Sequence, residues 1–151
     1  MNLAAFYHSG MYPEIYAPDR FHLRFSFRAA SGDIETCTLV YFHKNHRDET
    51  TKEERMLERY HLGPSVVYVA VVSFQKPARY LQYYFRVTGK DGDTRWYNAW
   101  GTVEKCPDSG FFEYAYATQM ESGNDLLSDI SRAFPQRKSV LCAGELCGVG
   151  K

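Results

Sequence analysis

The chain has 151 residues, with 18 basic and 18 acidic side chains, so its formal net charge is zero. No basic excess exists to supply the electrostatic part of nucleic-acid binding, and no stretch approaches the about 18 apolar residues of a membrane span. The length suits one domain able to bury roughly two-thirds of its unfolded surface, and an aromatic content of 16%, with 10 Phe and 12 Tyr against 2 Trp, favours pleated structure.

The first residues, MNLAAFYHSG, lack the basic region of a secretory leader. The expectation is a soluble, cytoplasmic protein whose four cysteines are free thiols rather than a disulfide framework. Leu3–His8 reads as a short first strand. Met11–Asp19 holds Pro13 and Pro18 and reads as a loop or an extended edge. Phe21–Arg28 alternates cleanly, with Phe21, Leu23, Phe25 and Phe27 on one face and His22, Arg24, Ser26 and Arg28 on the other. That is the pattern of an antiparallel sheet with one wet face. Ser31-Gly32-Asp33 is a turn, and Ile34–Phe42 is expected to return as the second strand of a hairpin. The charged segment from His43 to Gly63 reads as a long excursion, with Met56, Leu57 and Tyr60 at helical spacing. Val66–Phe74 is apolar on both faces and belongs at the centre of a sheet.

Arg79–Gly101 then reads as a hairpin rich in aromatic rings. Leu81, Tyr83, Phe85 and Val87 alternate with Tyr80, Gln82, Tyr84 and Arg86. Lys90-Asp91-Gly92-Asp93 turns the chain, and Thr94–Trp100 returns it. Thr102–Gly110 is a loop and Phe111–Ala117 a last strand. About seven strands with one short helical excursion predict an all-β, antiparallel, immunoglobulin-like β-sandwich over residues 1–117. Residues 118–151 read as an irregular linker or tail.

No self-contained chemistry emerges. There is no Gly-x-Ser-x-Gly, no phosphate-binding glycine loop and no carboxylate pair in a rigid setting. His43 and His46 share a turn, and solvated loop histidines explain them. Cys142 and Cys147 lie four residues apart, wider than the common zinc spacing, with Cys37 and Cys106 isolated. Asp91-Gly92-Asp93 lacks the other ligands of a calcium loop. No cofactor is expected, and the chain by itself is not expected to be an enzyme. What remains is an aromatic surface. Tyr80, Tyr84, Trp96 and Trp100, with Asn98 and Arg86 near, offer rings to stack on sugar faces and polar groups for hydroxyls. The plainer alternative is that these rings pack in a core or an interface.

Taken in order, several motifs resemble the N-terminal domain (carbohydrate-binding module family 34) of the neopullulanase, cyclomaltodextrinase and maltogenic amylase group. They are Ala5-Phe6-Tyr7-His8, Tyr16-Ala17-Pro18, Leu23–Arg28 with Gly32-Asp33, and Leu39-Val40-Tyr41. Met56, Arg79–Gly89, Trp96-Tyr97-Asn98 and Gly110–Tyr116 complete the set. The resemblance covers roughly residues 1–117. It implies a β-sandwich preceding a family 13 (β/α)₈ glycosidase barrel that acts on α-1,4 or α-1,6 glucans. It further implies weak contact with α-glucans such as maltooligosaccharide or cyclodextrin. It also implies homodimerisation, in which the loop after Tyr41 reaches the partner subunit's catalytic cleft; here Phe42, His43, Asn45 and His46 occupy that loop. The catalytic acids of such a barrel have no counterparts in this chain, and Ala133–Arg137 is only a faint echo of the barrel's opening motif. A purely protein-binding sandwich that takes no sugar is the rival expectation.

Overall fold

The computed structural model describes residues 1–115, and the expected tail at 118–151 lies outside them. Among the described residues ten strands form two sheets. The first is ordered β1 (Ile15–Asp19), β2 (His22–Ala30), β6 (Ser65–Ser73), β5 (Leu57–Leu62). The second runs β4 (Lys52–Arg55), β3 (Ile34–His43), β7 (Tyr80–Gly89), β8 (Thr94–Asn98), β9 (Gly101–Val103), with β10 (Phe112–Ala115) also paired to β7. The immunoglobulin-like sandwich is therefore present, with more strands than the about seven expected.

Period-2 alternation builds its core. On β2, Leu23, Phe25, Phe27 and Ala29 are buried, and on β7 so are Leu81, Tyr83, Phe85 and Val87. The two rows meet across the sandwich, with ring centroids of Phe25 and Tyr83, and of Phe27 and Phe85, each 5.0 Å apart. Phe112 stacks on Tyr83 at 5.3 Å. His8 stands in this apolar layer, its ring 4.7 Å from Phe85 and 4.8 Å from Phe112. The Ser26 carbonyl, 2.7 Å from Nδ1, can only accept, so Nδ1 carries the proton. Nε2 then accepts from the Tyr83 hydroxyl at 2.8 Å. Burial lowers the His8 pKa to about 4, so the imidazole is neutral and fully bonded at pH 7.

Four expectations are corrected. Leu3–His8 is not a strand: Leu3–Ala5 forms a 3₁₀ turn, and only Tyr7 makes a ladder contact, with Arg28. The N–H groups of Ala5 and Phe6 bond back to Asn2 and Leu3, leaving Phe6 and His8 to plug the core as single side chains. Strands β2 and β3 do not pair as a hairpin. The turn at Ser31–Asp33, where Gly32 takes φ 74°, carries the chain from one sheet to the other, because each strand has its own apolar face to bury. The 43–63 excursion holds one helical turn, α1 (Arg47–Thr50), followed by the edge strands β4 and β5. Met56 marks the crossing between them: it is buried, and its N–H donates to the Cys37 carbonyl at 2.8 Å. Leu57 and Tyr60 lie on β5. Finally, the return strand stops at Asn98 rather than Trp100. The Asn98 side chain accepts the Trp100 N–H at 2.9 Å, a local turn that competes with the ladder.

Candidate aromatic surface of the second sheet

The register of the second sheet decides which rings share its outer face. Val40 lies opposite Tyr84 and Phe42 opposite Gln82, while Arg86 lies opposite Trp96. Tyr80, Gln82, Tyr84 and Arg86 therefore project away from the sandwich core, as the alternation of β7 requires.

This face carries its own small core. Val40, Phe42 and Tyr84 are buried there, with Trp96 and Phe111 packed against them. Phe111 stacks on Tyr84 at 6.0 Å and meets Phe42 edge-on at 5.0 Å. Arg47, delivered by α1, sits 4.9 Å from the Phe111 centroid and 5.4 Å from that of Phe42. Its Nη2 donates to the Pro107 carbonyl at 2.7 Å, tying the helical turn to the loop before β10. A guanidinium held over rings in this way adds about 0.5–2 kcal/mol of attraction. The Tyr84 hydroxyl lies 3.3 Å from Cys106 Sγ, and burial, with Cys106 adding to it, pushes the phenol up to about 12. Beside this cluster Arg86 grips Glu53 with two bonds of 2.9 and 3.0 Å, which lowers the Glu53 pKa.

Not all of the expected surface is thus free. Tyr84 and Phe42 are buried beneath Phe111 and Arg47, and Trp96 is half-buried in the same cluster. Asn98 is buried and structural, accepting from Trp100 and donating through Nδ2 to the Ser109 carbonyl at 3.2 Å. Two rings stay open: Tyr80 at the start of β7, 58% exposed, and Trp100, 74% exposed. Trp100 is backed by Gly110, where an added Cβ would come within 2.6 Å of the indole; Gly110 also takes φ 69°. Glycine there lets one face of the indole lie against the backbone. At the same end of the sheet as Tyr80, the expected loop residues Phe42 and His43 are the last two of β3, opposite Gln82 and Leu81, because the ladder with β7 continues through them; Asn45, at φ 68°, and His46 stand on the loop beyond, and His43, Asn45 and His46 are exposed. His46 Nδ1 lies 3.3 Å from Glu49 Oε1. Lys44 and Gln82 both reach the Glu113 carboxylate, at 3.4 and 3.1 Å.

Sequence pattern did not single out Arg47 or Glu113, and it left Cys106 as an isolated thiol. Arg47 lies within a charge run, and only the fold brings it to Pro107, sixty residues away. Among the described residues no group of His, Cys, Asp and Glu is placed to hold a metal ion. Cys37 is buried beside Met56, where burial pushes its thiol up, whereas Cys106 is exposed on the outer face; Cys142 and Cys147 lie outside the described residues. Among the described residues no helix is long and apolar enough to cross a membrane.

Known proteins share this architecture. The family described as "Alpha amylase, N-terminal ig-like domain" matches residues 1–118. The chain belongs to that family. The alpha-amylase N-terminal domain found here superposes on a cyclomaltodextrinase with TM-score 0.69 at 19% identity, covering 77% of this chain and 20% of that one. It also matches the type III pullulan hydrolase from Thermococcus kodakarensis, with TM-score 0.50 at 18% identity over 72% of this chain and 16% of the other. At these identities the likeness is one of fold, and the chain spans about a fifth of the cyclomaltodextrinase. No curated protein matches the chain by sequence.

Proposed function

We propose that this chain is the non-catalytic N-terminal domain of an α-glucan hydrolase. It is joined to a catalytic α-amylase-type barrel and touches α-glucan weakly. Family membership over residues 1–118 supports the attachment. One observation carries the sugar contact: Trp100, a large ring 74% exposed, held against the Gly110 backbone with little freedom left to lose on stacking. Tyr80, at the start of β7, is a second open ring. The exposed segment holding His43, Asn45 and His46 is the part proposed to reach the cleft of a second subunit, with Phe42 anchoring it from below. The site of action is the cytoplasm.

A second reading, a protein-docking sandwich that takes no sugar, has its own support: Phe42, Tyr84 and Trp96 are spent on packing. Affinity electrophoresis separates the two. In gels containing soluble starch the chain is expected to be retarded, and Trp100→Ala to run as in a starch-free gel. Equal mobility of the wild-type chain with and without starch would leave the docking reading standing.

A further inference from the structure

Among the described residues five basic side chains are half-buried: Arg24, Arg28, Arg47, Arg86 and Arg95. A guanidinium that loses part of its water is left with N–H donors to satisfy. In three of the five they are satisfied. Arg47 donates to the Pro107 carbonyl, Arg86 to the Glu53 carboxylate and Arg95 to the Thr94 carbonyl. The guanidinium groups of Arg24 and Arg28 have no hydrogen-bond acceptor and no carboxylate partner among the described residues. Each lies instead on a tyrosine, Arg24 Cζ 5.7 Å from the Tyr16 centroid and Arg28 Cζ 4.9 Å from that of Tyr7.

The fold sets these two units in a row. With Leu23, Phe25 and Phe27 turned into the core, Arg24 and Arg28 share the outer face of β2, four residues and about 13 Å apart. The chain from Tyr7 to Tyr16 flanks one edge of β2, with Tyr7 opposite Arg28 and Tyr16 opposite Arg24. Tyr12 adds an open ring, 70% exposed and edge-on to Tyr16 at 5.5 Å. On the other side β6 sets only valines against the arginines, Val71 opposite Arg24 and Val67 opposite Arg28. The acidic residue between the two tyrosines, Glu14, is turned to the Ser9 hydroxyl at 2.5 Å, and Asp19 at the end of β1 is held by His22 at 2.7 Å. The face therefore carries two cations with unused donors, rings beside them, and no carboxylate paired to either.

We propose that this face binds α-glucan that carries phosphate monoesters, the two arginines taking the phosphates and the tyrosines the sugar rings. An unpaired guanidinium presents parallel N–H donors that match a phosphate. A ring next to it suits the C–H face of the sugar that bears the ester. α-Glucan has no charge of its own, so an anion reaches such a face as an ester of a sugar hydroxyl. An acidic polypeptide would also pair with the arginines, but the open Tyr12 and Tyr7 rings favour the sugar. The sugar part of this ligand rests on the α-glucan reading above. The site itself is on the other sheet from Trp100 and shares no residue with it.

Affinity electrophoresis of the full chain tests it in three gels, each read against a ligand-free gel. They hold amylopectin bearing phosphate monoesters, the same amylopectin after phosphatase treatment, and polyglutamate coupled to the matrix. The apparent dissociation constant is expected to be about three- to tenfold lower in the phosphorylated gel than in the treated one. Arg24→Gln combined with Arg28→Gln is expected to erase that difference, and about 1 M NaCl to shrink it. Lys52→Gln combined with Lys90→Gln, the same change of charge at exposed positions elsewhere, is expected to leave it intact. Trp100→Ala is expected to leave it intact as well, because that variant acts on the retardation by the treated, neutral gel. The two readings can thus fail separately. Equal affinity for the two amylopectins, a difference that survives the double arginine variant or falls equally in the lysine variant, or equally strong retardation by polyglutamate would each overturn the proposal.

Discussion

His8 gives the most quantitative handle on the sandwich. Its imidazole is wedged between the sheets, neutral, with Nδ1–H donated to Ser26 and Nε2 accepting from Tyr83. Burial lowers its pKa from 6.5 to about 4. Above pH 6.5 folded and unfolded chains both carry it neutral, and it adds no pH dependence. Between 6.5 and 4 the unfolded chain takes up a proton that the folded chain refuses, so stability falls as the pH falls. A gap of about 2.5 pH units at about 1.4 kcal/mol each amounts to about 3.5 kcal/mol, most of it lost by pH 4. That is a large part of the roughly 5–15 kcal/mol of a typical domain. Urea unfolding at half-unit steps from pH 7.5 to 4.5 reads the slope directly. Carboxylates held low in the fold, such as Glu53, add a slope of their own near the acid end, so His8→Phe is the control. That variant strands the Tyr83 hydroxyl and the Ser26 carbonyl and should be less stable at pH 7 by about 1–3 kcal/mol. Its profile should be flatter than the wild type between pH 6.5 and 4.5, by about one proton's worth. Parallel profiles for the two proteins would refute the reasoning.

Other consequences can be checked by the same unfolding assay. Met56→Ala empties a buried site at the crossing of the two sheets and is expected to cost about 2–5 kcal/mol. Gly110→Ala puts a Cβ at φ 69° into the Trp100 indole; a loss of about 1–3 kcal/mol is expected, together with a shift in tryptophan emission that Gly32→Ala, with open space around it, does not produce. Arg47→Ala removes the donor to Pro107 and the cation over Phe111 and Phe42. A loss of about 1–2 kcal/mol is expected, and faster reaction of Cys106 with a thiol reagent as the loop loosens.

The strands whose two faces differ were readable in the residues: β2 and β7 show their alternation, and the turn at Lys90–Asp93 announces itself through Gly92, at φ 90°. The partner of a strand was not readable. β2 and β3 carry the same period, and nothing local tells a hairpin from a crossing between sheets. Met56, Leu57 and Tyr60 satisfy a helical spacing and also a crossing followed by a slipped edge strand; burial of Met56 in the tertiary core decides for the second. The candidate surface fared similarly. Parity placed Trp96 and Trp100 together, but the Asn98 side chain ends β8, so Trp100 leaves the sheet and stays open while Trp96 remains in it, half-buried. The covering of Phe42 and Tyr84 by Arg47 and Phe111 depends on contacts across long stretches of chain, which no periodicity records.

The two tryptophans permit one direct test of the proposed glucan contact. In an ¹⁵N-labelled full chain each indole Nε1–H gives its own NMR signal, assigned through Trp96→Phe and Trp100→Phe. Titration with maltoheptaose to millimolar concentration should move the Trp100 signal progressively and leave that of Trp96 nearly still. Both signals unmoved, or Trp96 moving alone, would contradict an α-glucan contact at Trp100.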